Sequence, residues 1–410
     1  MPPREQGKHL VVLGSLDTKG VEVSFLCAEL QAHGWPTRVV DIGLRPRAGG
    51  GPLASPAVAA LSAPAGAPTA GAETKVDAMA RAAAAAAPLV ARWLAAGEMA
   101  GIVAVGGGVG TWIGARVMRD LPFGFPKVMV STLPFDIREH LGAKDIVVFP
   151  TVADVLGLST PLRAVLHNAA AALAGMAAAT AISPASRRAI GTTGLGVTTP
   201  AVLAVRRLVE AAGYELVSFH AAGSGGAAFE QWTAEGAFCG VLDLTTSELT
   251  SELFHGIASA GPQRLTAAAR HGVPQVVVPG GVDFVTRGPV EMLTDEDRHR
   301  QYHRHSPMFT HVRVDAAGMR VVAREIAARL DPGHAPAVVA VPLRGFSAEG
   351  GAGGALHDAD ADAAFVAELR ACLAPRIHLV EVDAHVNDEA FAARACELLF
   401  AMIPPPGACA

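Results

Sequence analysis

The residues best suited to chemistry lie where apolar runs break into glycine. The run at 102–105 ends in Gly106-Gly107-Gly108, and Val109-Gly110-Thr111 then opens a helix-like segment. A strand turning through glycines into a helix N-terminus lets backbone N–H groups approach an anion, and the helix dipole favours negative charge there. The pattern reads either as a phosphate turn or as a tight turn without a ligand. GSLDTKG at 14–20 is a second such turn. Lys19 could pair with a phosphate, and Asp17 with a ribose, a metal or Lys19 itself. Asp17 or Thr18 would equally serve as a helix N-cap.

Further polar turns follow later strands. His220 precedes Gly223-Ser224-Gly225-Gly226, a position suited to acid–base work or substrate hydrogen bonding, or else to a structural role. Asp243 and Glu248 follow the next strand; Thr245 or Thr246 with Glu248 or Glu252 would alternatively form a capping box. Asp283, Arg344 and DAHVND at 383–388 complete the set. His299, His303, His305 and His311 surround Pro307, a spacing that matches no zinc pattern such as HExxH. Gly108, Gly110 and Gly114 form a GxGxxxG, but the following strand ends in Ser131-Thr132 without the acidic residue a dinucleotide fingerprint requires. No GxxxxGK[ST] or GxSxG occurs.

Holding these turns together requires alternating strands and helices. β-rich runs fall at 9–13, 36–42, 102–105, 127–130 and 145–149, the last as another buried strand. Helical spacing occupies 21–33, 72–96, 109 to about 119, and 152–181, with Pro88 a point of kink or division. Segment 45–71 is nearly all Ala, Gly, Pro and Ser and reads as a mobile surface loop. After a polar stretch at 183–188 the pattern restarts. Strands are expected at 189–193, 214–219, 238–242, 275–278, 309–312, 337–341 and 376–382, with helices between them. Strands that are continuously hydrophobic predict parallel sheets covered on both faces. The expected class is α/β, with two Rossmann-like domains at 1–185 and 186–405. In such sheets ligands sit beyond the C-terminal strand ends, where all these turns fall.

The chain has 410 residues, 17% charged and 51% hydrophobic, with a formal net charge of −5. That balance gives no electrostatic reason to expect nucleic acid or an anionic membrane. Its five cysteines are scattered without a CxxC pair, which suits a reducing cytoplasm better than a disulfide framework or structural zinc. The N-terminus has no signal-peptide pattern, and the longest apolar tract, 169–179, is too short to span a bilayer. A soluble, cytoplasmic protein is expected.

Eight of these segments, in order over nearly the full chain, resemble the Tm-one-like ATP-binding domain family, long labelled an uncharacterised protein family. They are GSLDTKG (14–20), GGGVGT (106–111), VST (130–132), GVTTP (196–200), FHAAGSGG (219–226), GVLDLTTSEL (240–249), PLRG (342–345) and DAHVND (383–388). The resemblance implies a two-domain Rossmann-like chain that binds ATP and self-associates as a homo-oligomer. Asp17, Lys19, Gly106, Gly107, Gly110, Thr111, Ser131 and Thr132 would then line the nucleotide site, with the second-domain turns across a cleft. Two other functions remain open. One is an enzyme on a small carboxylate, acyl or phosphorylated metabolite, using His220, His305 and Arg344 with a carboxylate from Asp243, Glu248 or Asp283. The other is an interaction or regulatory protein stabilised by its nucleotide.

Overall fold

The run HLVVLG, His9–Gly14 (β1), is buried along its whole length, which requires cover on both faces of its sheet. The computed structural model describes residues 7–44, 60–62, 74–132, 138–179 and 188–406. The chain divides into two units, Met1–Pro184 and Ala185–Ala410. Among the described residues, no helix is long and apolar enough to cross a membrane. Cys27, Cys239, Cys372 and Cys396 are free thiols.

In the first unit β1 leads into α1 (Leu16–Ala32), β2 (Thr37–Asp41), β3 (Ala60–Ser62), α2 (Lys75–Ala95), β4 (Met99–Gly106) and α3 (Gly108–Met118). Next come β5 (Lys127–Ser131), α4 (Arg138–Leu141), β6 (Val147–Pro150) and α5 (Thr160–Ala178). The strands form one sheet in the order β3-β2-β1-β4-β5-β6, all parallel. Alternate side chains of each strand enter opposite cores. Leu10, Val12, Val103 and Val105 meet Leu26, Leu30, Leu162 and Leu166 of α1 and α5. Val11, Leu13, Ile102 and Ala104 meet Val90, Trp93, Ile113 and Val117 of α2 and α3.

Three expectations are corrected here. Pro88 does not divide α2; Ala82, Ala83 and Ala86 before it and Val90 and Trp93 after it are buried, holding both halves on the sheet. The helix expected from 152 begins only at Thr160. Val152 (φ 59°) and Gly157 (φ 70°) take left-handed backbone, and a proline then sits in the first turn, where its fixed φ suits a helix start. The strand near 145–149 is not buried: β6 is an edge strand with exposed and half-exposed side chains. Of the segment 45–71, only β3 lies within the described residues.

The second unit begins with β7 (Ala189–Gly194), a 3-10 turn at Gly196–Thr198, α6 (Thr199–Ala211), β8 (Glu215–His220), α7 (Ser224–Ala234) and β9 (Gly240–Thr245). It continues through α8 (Ser247–Leu253), α9 (Ala267–His271), β10 (Gln275–Gly280), β11 (Phe284–Arg287), α10 (Asp295–His299), β12 (Tyr302–His303) and β13 (Thr310–Arg313). α11 (Ala316–Leu330), β14 (Ala337–Pro342), α12 (Ala359–Cys372), β15 (His378–Val382) and α13 (Glu389–Phe400) complete it. Its main sheet runs β15-β14-β10-β9-β7-β8, again all parallel. Leu242, Leu244, Val276 and Val278 pack under α6 and α13; Val277, Val339 and Val341 pack under α11 and α12.

The strand expected at 309–312 is β13, which does not join the parallel sheet. It is the centre of a small antiparallel sheet, β11-β13-β12. Short links suffice between antiparallel strands, whereas a parallel neighbour needs a long crossover.

Candidate functional site

In the first sheet the chain leaves β1 towards β2 and β3, and leaves β4 towards β5 and β6. Such a reversal opens a crevice beyond the strand ends, the usual ligand position in doubly wound sheets. The two flanking turns are those after Gly14 and after Gly106. α3 starts there with Gly107 as its N-cap, without a side-chain cap or a first-turn acid. Thr111 N–H donates to the Gly107 carbonyl at 2.9 Å, the first bond of the helix. The N–H groups of Gly108, Val109 and Gly110 therefore have no acceptor within the helix.

Glycine is required here by close approach. A Cβ on Gly106 would stand 2.9 Å from the Gly110 Cα, and one on Gly110 would stand 2.9 Å from the Val105 carbonyl oxygen. A side chain at either position would push α3 off β4. Gly108 faces open space.

The other residues expected at this site divide into walls and supports. Thr132 lies beside Gly107, its Oγ1 3.2 Å from where a Gly107 Cβ would stand. Thr111 and Ser131 come together, their hydroxyls 2.7 Å apart, but both are buried and brace the turn from beneath. Lys19 Nζ donates to the Val155 carbonyl. Asp17 is not the α1 N-cap, which is Ser15; its carboxylate stands beside Gly43 together with that of Asp41. Asp41 closes β2, and its Oδ1 accepts from Leu16 N at 3.0 Å and Gly43 N at 2.9 Å. Asp41 is not among the residues expected from the sequence, because a fingerprint anchored on Gly106 places its acid after β5. The signal was present in TRVVD, a β-rich run ending in a carboxylate.

In the second unit Asp243 and Glu248 are brought together, but in the interior. Both surround Arg264, which is wholly buried. Its Nε donates to Glu248 at 2.7 Å, its Nη1 to Glu230 at 3.1 Å and Asp243 at 2.5 Å, and its Nη2 to Asp243 at 2.7 Å and the Thr245 carbonyl at 3.0 Å. Glu248 also accepts from Gly223 N and Gly226 N. Glu230 accepts from the amides of Leu265, Thr266 and Ala267. Burial pushes Glu230 and Glu248 above the ordinary carboxylate range, against the pull of Arg264. Burial also opposes the charge on Arg264, but the carboxylates outweigh it and hold its pKa well above the ordinary value. The alternative capping box is not formed, since α8 has Thr246 as N-cap without a side-chain bond. Asp243 is committed to Arg264 and the Thr193 hydroxyl, and Glu248 to Arg264 and two amides, so both anchor the interior. Arg264 was not legible, because its three carboxylates come from α7, β9 and α8.

The remaining candidates do not converge. His220 ends the edge strand β8 with an exposed side chain. Arg344 forms a bidentate pair with Asp383 at 2.7 Å, largely in solvent. Asp283 is buried beneath the surface, accepting from Ser347 Oγ at 2.7 Å with Arg313 3.7 Å away. Burial raises its pKa against the effect of Arg313. His305 does find partners, His311 and Glu349. His305 Nδ1 is 3.0 Å and His311 Nδ1 2.8 Å from the two oxygens of one carboxylate.

The N-terminal and C-terminal domain models of an uncharacterised protein family (UPF0261) match residues 8–181 and 187–403 respectively. A UPF0261 protein of Clostridium tetani is 34% identical over 405 residues, 97% of this chain and 99% of that one. UPF0261 protein RA0729 of Rhizobium meliloti is 36% identical over 392 residues, 95% of this chain and 97% of that one. The ToMV resistance protein Tm-1(GCR237) of Solanum lycopersicum is 33% identical over 304 residues, 72% of this chain but 40% of the tomato protein.

Proposed function

The chain belongs to the UPF0261 family, described as an uncharacterised protein family, and we propose that its first unit binds a nucleotide, ATP foremost. The observation that carries this reading is the uncapped N-terminus of α3 at the reversal between β1 and β4. Three N–H groups without helical acceptors, at the positive end of the helix dipole, form a ready anion site. Phosphates would lie against Gly107, Gly108 and Val109, with Thr132 at the side. Among the described residues Lys19 gives one of its three N–H groups to Val155, which leaves two for a phosphate.

Asp41 adds a reason to think of a nucleotide rather than a bare anion. It closes the strand next to β1, the position from which a carboxylate holds ribose hydroxyls in related sheets. Its Oδ1 is occupied by two amides, and among the described residues Oδ2 has no partner. Thr111 and Ser131 support the turn and do not touch the ligand in this reading.

The test is calorimetric titration of the full chain with ATP, and with NADH in parallel. Saturable binding of ATP supports the proposal. A folded chain that takes up no ATP at millimolar concentration ends it.

A further inference from the structure

We infer that the second unit carries a site for a divalent first-row transition metal, held by His305, His311 and Glu349. The argument is independent of the nucleotide site. The small antiparallel sheet sets His303 directly opposite His311. His311 is buried and stacked on Phe284, with ring centroids 4.0 Å apart. His305, just beyond β12, stacks on His311 at 4.5 Å with the rings 23° from parallel. Stacked in this way, both imidazoles direct Nδ1 at Glu349, whose oxygens lie 3.0 and 2.8 Å away. One donor atom from each residue lies within 4.8 Å of the others.

A single imidazole would suffice to anchor a carboxylate. Two nitrogens and one oxygen converging from the segment after β12, from β13 and from the loop after β14 form the His-His-carboxylate set that zinc, iron(II) and cobalt(II) favour.

The position of the cluster is a second observation. A Cβ on Gly196 would stand 3.9 Å from the His305 ring, so the histidine reaches the turn that follows β7. The Ala348 amide, next to Glu349, donates to the Val197 carbonyl of that same turn at 3.1 Å. In the order β15-β14-β10-β9-β7-β8 the chain reverses at β7 and β9, which makes this turn the expected ligand position in the sheet. Gly196 is exposed and has no side chain of its own to set against His305. Three protein ligands leave a coordination position there for water or an oxygen of a small anionic ligand. His303 Nε2 is 3.8 Å from Glu349, at the rim of the set.

Cobalt(II) is the probe. Chelator-treated full-length protein is titrated with cobalt chloride and followed by visible absorption, with zinc as competitor. One equivalent should bind with the ligand-field bands of a four- or five-coordinate N/O site, and zinc should displace it. His305→Ala and Glu349→Gln should each weaken binding by about tenfold or more. His220→Ala, an exposed histidine outside the cluster, should leave it unchanged. The His305 side chain is 38% exposed, so its removal spares the fold, which circular dichroism of each variant without metal checks. Binding of no cobalt by the wild type, or equal binding by wild type, His305→Ala and Glu349→Gln, overturns the assignment.

Discussion

Replacing Arg264 with methionine should destabilise the second unit heavily at neutral pH. The guanidinium makes five hydrogen bonds, four of them to Asp243, Glu230 and Glu248. Methionine fills the aliphatic part of the space and leaves three carboxylates without their cation. Removing one partner of a buried ion pair costs about 3–5 kcal/mol. Three acceptors lose the same partner here, so the upper part of that range applies, a large fraction of the roughly 5–15 kcal/mol that holds a typical domain together.

The pH dependence supplies a second signature. Burial already holds Glu230 and Glu248 above the ordinary value against Arg264, and without Arg264 both rise further. A carboxyl with a raised folded pKa contributes stability that is full below its unfolded pKa and lost as pH rises through the folded one. The variant should therefore recover towards the wild type on acidification from neutral pH to about 5. Urea denaturation at both pH values measures the difference, and hydrogen exchange of peptides within 226–280 locates it. A loss below about 1 kcal/mol at neutral pH, or the same loss at both pH values, refutes this reasoning. Asp243 and Glu248 would then return as candidates for catalysis.

Four other perturbations test the first unit. Gly110→Ala places a Cβ 2.9 Å from the Val105 carbonyl and should cost about 1–3 kcal/mol by overpacking. Gly108→Ala, with open space around it, should melt like the wild type. Thr111→Val removes the buried hydroxyl contact to Ser131 and should cost about 1 kcal/mol. ATP affinity in calorimetry should change little, because that hydroxyl supports the turn from beneath. His9, T-stacked on Trp93 at 5.6 Å, has its pKa lowered from 6.5 to about 4 by burial and then by Arg38. A depressed histidine contributes stability present above its unfolded pKa and lost as pH falls through the folded one. Melting of the first unit should therefore fall between pH 6.5 and about 4, and less so in His9→Phe, which keeps the stacking.

The two α/β units were legible because strands such as β1, β4 and β9 are buried on both faces and leave unbroken apolar runs. Strand order was not legible, since no local pattern says which neighbour β1 or β7 takes. Order is what makes Asp41 a neighbour of the β1 turn and Gly196 a neighbour of His305. The histidine cluster was half visible: His303, His305 and His311 stood out in the sequence, but Glu349 comes from a distant loop. Thr111 and Ser131 were expected among the residues lining the nucleotide site, but both are buried, which the sequence does not display, and their hydroxyls meet each other. Asp243 and Glu248 stood at strand ends as catalytic residues would, and only Arg264, inside the fold, reveals what holds them.

The claim that α3 binds phosphate is tested most directly by Gly108→Pro. Proline suits the first helical position, and Gly107 before it, with φ −82° and ψ −150°, is outside the α region that a following proline disfavours. The substitution removes one phosphate-facing N–H and puts the Cδ of the ring in its place. Calorimetric titration should show ATP bound by the wild type and bound about tenfold or more weakly by the variant at unchanged melting temperature, since a hydrogen bond to a charged group contributes about 1.5–3 kcal/mol. Equal affinities in the two proteins would contradict the account.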